Sequence, residues 1–312
     1  MDESYIEQFR NANIKTAILQ PGNIQALEEI LNKKITTYSK FKGEFKRGRI
    51  PKRKELLLLL KEIKPGVDIY LGVSEVSIPG VNYTKIDYTK YYEGLAKRTV
   101  LPMLTIPFLT LTLNSNGIGL YPSLIFGLPP LLLSLLDTKN IINDITEERC
   151  GSSEYNFVHK NITLERNSEY GLISTLAHEY AHHVQNEKKI PKNGYFSFFN
   201  EGQARSVQRQ VSVNKWAQND DFCFMLGSLD YDLSELRATY VWLTKYLRKK
   251  ANTFLTTEAM TQRGPFDLNY VQTHMIPTPH ALGNAFFSIL EAREGTGIHK
   301  EIMAGRYQLP SF

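Results

Sequence analysis

Three of the chain's seven histidines fall in one short string with a glutamate, Leu176-Ala177-His178-Glu179-Tyr180-Ala181-His182-His183. Residues four apart on a helix share a face, so His178 and His182 can reach a single ion. Imidazole nitrogen suits zinc, at about 2.0–2.1 Å. Glu179 lies about 100° further round the same helix than His178. From there it can reach a water on the metal without binding the metal itself. That is the placement of a general base in a hydrolytic zinc site. Leu172, Ile173, Leu176, Ala177, Tyr180, Ala181 and Val184 surround the motif and mark the helix as buried. Two histidines and a glutamate are costly inside a core unless they are paired or bound to metal.

A catalytic zinc keeps one coordination position open, so a third protein ligand must be found. The metzincin pattern requires Gly at position 185 and His at 188, where this chain has Gln185 and Lys188. The alternative is a glutamate on a second helix. Eighteen residues separate His182 from Glu201, in Phe199-Asn200-Glu201-Gly202-Gln203-Ala204. That spacing allows the first helix to finish, a loop to turn through Pro191 and Gly194, and a new helix to face the first. A competing role for Glu201 is a first-turn carboxylate satisfying the helix dipole.

Together these motifs resemble the gluzincin metallopeptidases, the thermolysin-like and aminopeptidase N-like clan. Asn200-Glu201-Gly202-Gln203-Ala204 matches the clan's N-E-G-x-A form, and the 18-residue spacer is that of the aminopeptidase branch. The likeness covers roughly residues 155–295. It implies that His178, His182 and Glu201 bind Zn2+ and that Glu179 acts as base and then as proton donor. It also implies that the strand Asn161–Glu165 is an edge strand aligning an extended substrate by backbone pairing. Two departures stand out. None of the six Met lies in the G-x-M-x-N segment that holds a substrate amine in the aminopeptidase branch, which favours an endopeptidase. Arg205 stands where the thermolysin-like branch has an aspartate supporting the ligands.

A peptidase also needs a donor for the developing oxyanion. Tyr270, His274 and His280 are the candidates, and His280 is preferred because it opens the segment Pro279-His280-Ala281-Leu282-Gly283 at a helix mouth. A capping role is the competing reading for His280. His183 points about 100° away from His182 and is expected to support a ligand or face solvent. No role is assigned to His159.

These side chains must be positioned by elements that the pattern outlines. Helices are expected over residues 168–186, 199–218 and 281–294. Another is expected from a capping-box start at Asp232-Leu233-Ser234-Glu235 to Lys249-Lys250. Upstream, residues 4–63 read mostly as helix, interrupted by a basic loop at 43–51 and ended by Pro65-Gly66. Residues 67–83 read as short strands broken at Pro79-Gly80. The expected fold is α+β and mainly helical. It combines a zincin-like catalytic domain, containing a small sheet and an active-site helix, with a preceding helical and strand-containing region. The expected organisation is 1–98 (helical and basic), 99–136 (charge-free) and 137–312 (zincin-like).

Composition narrows the rest. The 42% hydrophobic and 22% charged content is that of an ordinary globular chain. Two cysteines, Cys150 and Cys223, exclude a disulfide scaffold and a four-cysteine zinc site, and two reduced thiols are expected. The net charge of +5 conceals an asymmetry: Lys33 to Lys64 holds twelve Lys or Arg against three Glu. A solvated charged face is the main reading of that stretch, and a nucleic-acid partner is not expected. Residues 99–136 carry no charge and contain five prolines, in apolar arms of 15 and 19 residues around Asn114-Ser115-Asn116-Gly117. They read as a buried loop-and-strand segment, or as a membrane hairpin with 33–64 facing an anionic lipid surface. The acidic start, Met1-Asp2-Glu3, lacks the pattern of a signal peptide, so a cytoplasmic protein is expected, with membrane association as the variant.

The resulting expectation is zinc-dependent peptide-bond hydrolysis of a protein or peptide substrate, by an endopeptidase in which Glu179 activates a zinc-bound water. A membrane-associated protease using the 99–136 hairpin and a catalytically inactive zinc-holding interaction protein are the alternatives.

Overall fold

The computed structural model of the chain describes residues 21–41, 43, 48–84, 153–165, 167–190, 195–251 and 279–307. Helices dominate: α1 (Pro21–Phe41), α2 (Arg53–Leu71), α3 (Glu169–Glu187), α4 (Tyr195–Asn219), α5 (Cys223–Ala251), α6 (Pro279–Glu294) and α7 (Ile298–Met303). Strands β1 (Gly80–Thr84), β2 (Ser153–Asn156) and β3 (Asn161–Glu165) form one small sheet in the order β1-β3-β2. The architecture is therefore α+β and mainly helical. The chain divides into two compact units. One comprises Met1–Asn82, Ser153–Thr163 and Glu169–Phe312, and the other Tyr83–Ser152 and Leu164–Ser168. The seven helices of the described residues lie in the first unit. The charge-free segment 99–136 lies outside the described residues. Among those residues no helix is long and apolar enough to cross a membrane.

Two local expectations are overturned. Pro65-Gly66 does not end α2, which runs on to Leu71, so Val67, Ile69 and Leu71 are helical and not strand. Proline removes one intrahelical hydrogen bond. Leu56, Leu59, Leu60, Ile63, Val67, Tyr70 and Leu71 nevertheless bury one continuous face, and that burial outweighs the loss. The actual stop is Gly72, left-handed at φ +66°. Helix α5 begins at Cys223, not Asp232. Its start signal is Asp221, whose Oδ1 accepts the Cys223 backbone N–H at 3.0 Å. Gly227 weakens the helix pattern in between, which is why the local signal favours the later start.

The residue expected to cap α5 has another task. Asp232 is buried and pairs with Lys34 Nζ at 2.8 Å, while Arg209 Nη1 lies 3.3 Å away. Arg209 also hydrogen-bonds Asn284 and pairs with Glu291 at 3.0 Å. Glu291 accepts from Tyr70 and contacts His299. This network joins α1, α2, α4, α5, α6 and α7. Burial pushes the Glu291 carboxyl upward, but Arg209 and His299 outweigh it and hold the group well below the usual carboxylate range. Asp232 is likewise lowered, by Lys34 and Arg209 acting against burial. Because the unfolded chain binds these protons more readily, the two carboxylates stabilise the fold above about pH 4 and lose that contribution as pH falls. Urea unfolding across about pH 2–5 is expected to show a shallower acid loss in Glu291→Gln than in wild type, by up to about 1.4 kcal/mol per pH unit. Equal slopes would remove Glu291 from the acid response.

Candidate metal centre

Helix α3 carries His178, Glu179 and His182, all buried. Helices α2, α4 and α5 and strand β2 pack against it. Two side chains anchor it further. Tyr180 donates to Asp68 of α2 at 2.9 Å, and Ser174 accepts from Gln208 of α4 at 3.2 Å.

Glu201 is the seventh residue of α4, so it does not sit in the first helical turn. The helix faces α3 and brings the carboxylate onto the two imidazoles. Glu201 Oε2 is 3.2 Å from His178 Nε2 and 3.4 Å from His182 Nε2. The two ring nitrogens are themselves 3.2 Å apart. Atoms about 2.0–2.1 Å from a tetrahedral ion lie about 3.3 Å from one another. The three sides of this triangle match that spacing. Among the described residues these three form the group whose ligand atoms converge closely enough for a metal. Glu201 Oε2 is buried and makes no hydrogen bond of acceptable geometry. A buried carboxylate oxygen unsatisfied in this way is expensive without an ion. The donor set, two imidazoles and one carboxylate, is one that zinc accepts.

The site's electrostatics follow from this crowding. Burial lowers the His178 pKa to about 4. Burial pulls His182 the same way, but Glu201 outweighs it and raises that imidazole. Burial raises Glu201, yet the facing imidazoles hold its carboxyl well below the ordinary range.

Glu179 is 4% exposed, and its Oε1 accepts from Ser153 Oγ at 2.6 Å. Its charge favours protonation of both His178 and His182. Ser153 belongs to β2, a strand that the sequence pattern does not reveal. Strand β2 is only four residues long, and its alternation is too short to register. It also sets the sheet order. A four-residue turn leads to β3, with Asn156 Oδ1 accepting the Val158 and His159 N–H groups. Strand β3 then lies between β1 and β2. The expectation that Asn161–Glu165 is an edge strand is therefore overturned. Within the described sheet, the edge strand packed on the motif helix is β2.

His280 is the second residue of α6 and 42% exposed. Its Nε2 stands 2.8 Å from Glu201 Oε2, and its ring lies nearly parallel to His178 at 6.0 Å. It is beside the triad, not a member of it. Tyr270 and His274 lie outside the described residues, as does Cys150. His159 is exposed in the β2–β3 turn.

His183 faces neither solvent nor the triad. It is fully buried, with Nε2 3.0 Å from the Ser77 carbonyl and Nδ1 2.8 Å from Tyr155 Oη. A carbonyl only accepts, so Nε2 carries the proton and Nδ1 accepts from the tyrosine. Burial lowers its pKa, partly opposed by the contact with the Ser77 carbonyl. The expected surface placement fails because the loop after α2 folds over that side of α3. Arg205 turns from the triad to Glu235, with Nη2 at 2.7 Å from Oε1.

Comparison of the chain with protein-family models, with curated proteins and with solved structures finds no match.

Proposed function

We propose that the chain is a zinc-dependent metallopeptidase of gluzincin type, acting as an endopeptidase on protein or peptide substrates. The observation that carries this reading is the triangle of His178 Nε2, His182 Nε2 and Glu201 Oε2, with sides of 3.2, 3.2 and 3.4 Å. These three residues hold the ion, and among the described residues no fourth ligand joins their group. An open position separates catalytic from structural zinc sites. Zinc, when bound, supplies Lewis acidity to a carbonyl and to water.

The chain's own residues do the rest. Glu179 takes the proton of the attacking water and delivers it to the leaving amine. Ser153 holds that carboxylate in one rotamer through Oε1. His280, half-exposed, exchanges its Glu201 contact for the substrate oxygen as charge develops there.

Metal content of the purified protein, measured beside Glu201→Ala, tests the site. About one zinc per chain is expected in wild type, sharply weakened in the variant. Zinc retained at full affinity by Glu201→Ala would move the third ligand elsewhere and end the gluzincin assignment.

A further inference from the structure

Gln185 sits one helical turn after His182 and is 1% exposed. Its side-chain amide touches both halves of the triad. Oε1 is 2.8 Å from His182 Nδ1. Nε2 donates to the Asn200 backbone carbonyl at 3.0 Å and to Gln203 Oε1 at 3.1 Å.

These contacts can be ordered by what each atom is able to do. The Asn200 carbonyl only accepts, so the amide nitrogen of Gln185 must face it. That leaves the amide oxygen facing His182. An amide oxygen also only accepts, so Nδ1 of His182 must carry a proton. With its proton on Nδ1, neutral His182 presents a bare Nε2 to the triad. A backbone carbonyl on α4 thus dictates, through one amide, the tautomer of a ring on α3. Asn200 immediately precedes Glu201, so the same amide ties the backbone of the third ligand to the ring of the second.

His178 lacks this support. His178 Nδ1 is buried without a partner. Arg205, four residues after Glu201, is engaged with Glu235. We infer that Gln185 is a positioning residue that sets the metal-binding tautomer of His182 and locks the Asn200–Glu201 turn of α4 against it. The inference rests on reading the triad as a metal centre.

The test compares full-length wild type with Gln185→Met, similar in length and unable to accept a strong hydrogen bond. Zinc affinity is read by chelator competition, and the Co2+-loaded visible spectrum reports ligand geometry. Groups that hold metal-ligating histidines through the far nitrogen are worth about 10–100-fold in affinity. Gln185→Met is expected to lose that much and to show an altered cobalt spectrum. Equal affinity and an unchanged spectrum would overturn the inference while leaving the metal centre intact. Wild-type protein that binds no zinc would overturn the metal centre and this inference with it. Should Gln185→Met fail to fold, ring 15N spectra of zinc-loaded wild type decide. His182 bound through Nε2 with a hydrogen-bonded Nδ1 proton is expected, and ligation through Nδ1 would refute the assignment.

Discussion

Glu179→Gln is expected to bind zinc as wild type does and to cleave an unfolded protein substrate about a thousandfold more slowly, the range assigned to a positioned general base. The substitution keeps the side chain's shape, and the glutamine carbonyl can still accept from Ser153 Oγ, 2.6 Å away in the wild-type site. What it loses is the ability to take a proton. His178, His182 and Glu201 are untouched, so metal content and melting temperature should stay unchanged. A variant that cleaves at the wild-type rate would remove Glu179 as the base. Wild type and variant both loaded with zinc and both inert, across a broad peptide set, would point instead to a zinc-holding interaction protein.

Gly283→Ala is expected to cost about 3 kcal/mol of stability, the upper part of the overpacking range, and to draw His280 away from the triad. Helices α4 and α6 make the most extensive helix pairing described and cross at Gly202 and Gly283. A Cβ on Gly283 would collide with the Phe198 carbonyl and stand 2.7 Å from Gly202 N. One on Gly202 would lie 2.7 Å from Gly283 Cα. Backbone meets backbone here, and no flexible side chain can give way, so the helices must part. His280 is three residues from that crossing, and its 2.8 Å approach to Glu201 depends on it. Urea unfolding reads the stability loss. Alanine tolerated at Gly283 within a few tenths of a kcal/mol would show that the crossing does not set the spacing of α4 and α6.

The same crossing gives a structural reason for the glycine in Asn200-Glu201-Gly202-Gln203-Ala204. A motif legible as chemistry also carries a packing constraint. From the string alone, Gly202 reads only as part of a resemblance. Its physical cause is a contact with a residue 81 positions later in the chain.

Gln185 shows the opposite case. It was visible in the sequence only as the residue that breaks the metzincin pattern. Its spacing of three from His182 places both on one helix face, a signal that could have marked it. The amide's orientation, however, depends on the Asn200 carbonyl, and no local pattern encodes that. Arg205, Asp232 and His183 follow the same logic. Each pairs with a residue on a distant element: Arg205 with Glu235, Asp232 with Lys34 and His183 with Tyr155.

Local periodicity determined the part of this protein that a helix can present by itself. His178, Glu179 and His182 share α3 because 3.6 residues per turn places them so. The apolar residues between them required that helix to be buried. The 18-residue spacer made Glu201 a candidate that a second helix could deliver. Tertiary structure decided what depends on separation in space. It carried α2 through Pro65, because a buried face outweighed one lost hydrogen bond. It placed β3 between two strands. It brought His280 to Glu201 through a glycine crossing, where the closeness of two backbones is a property of the pair and of neither helix alone.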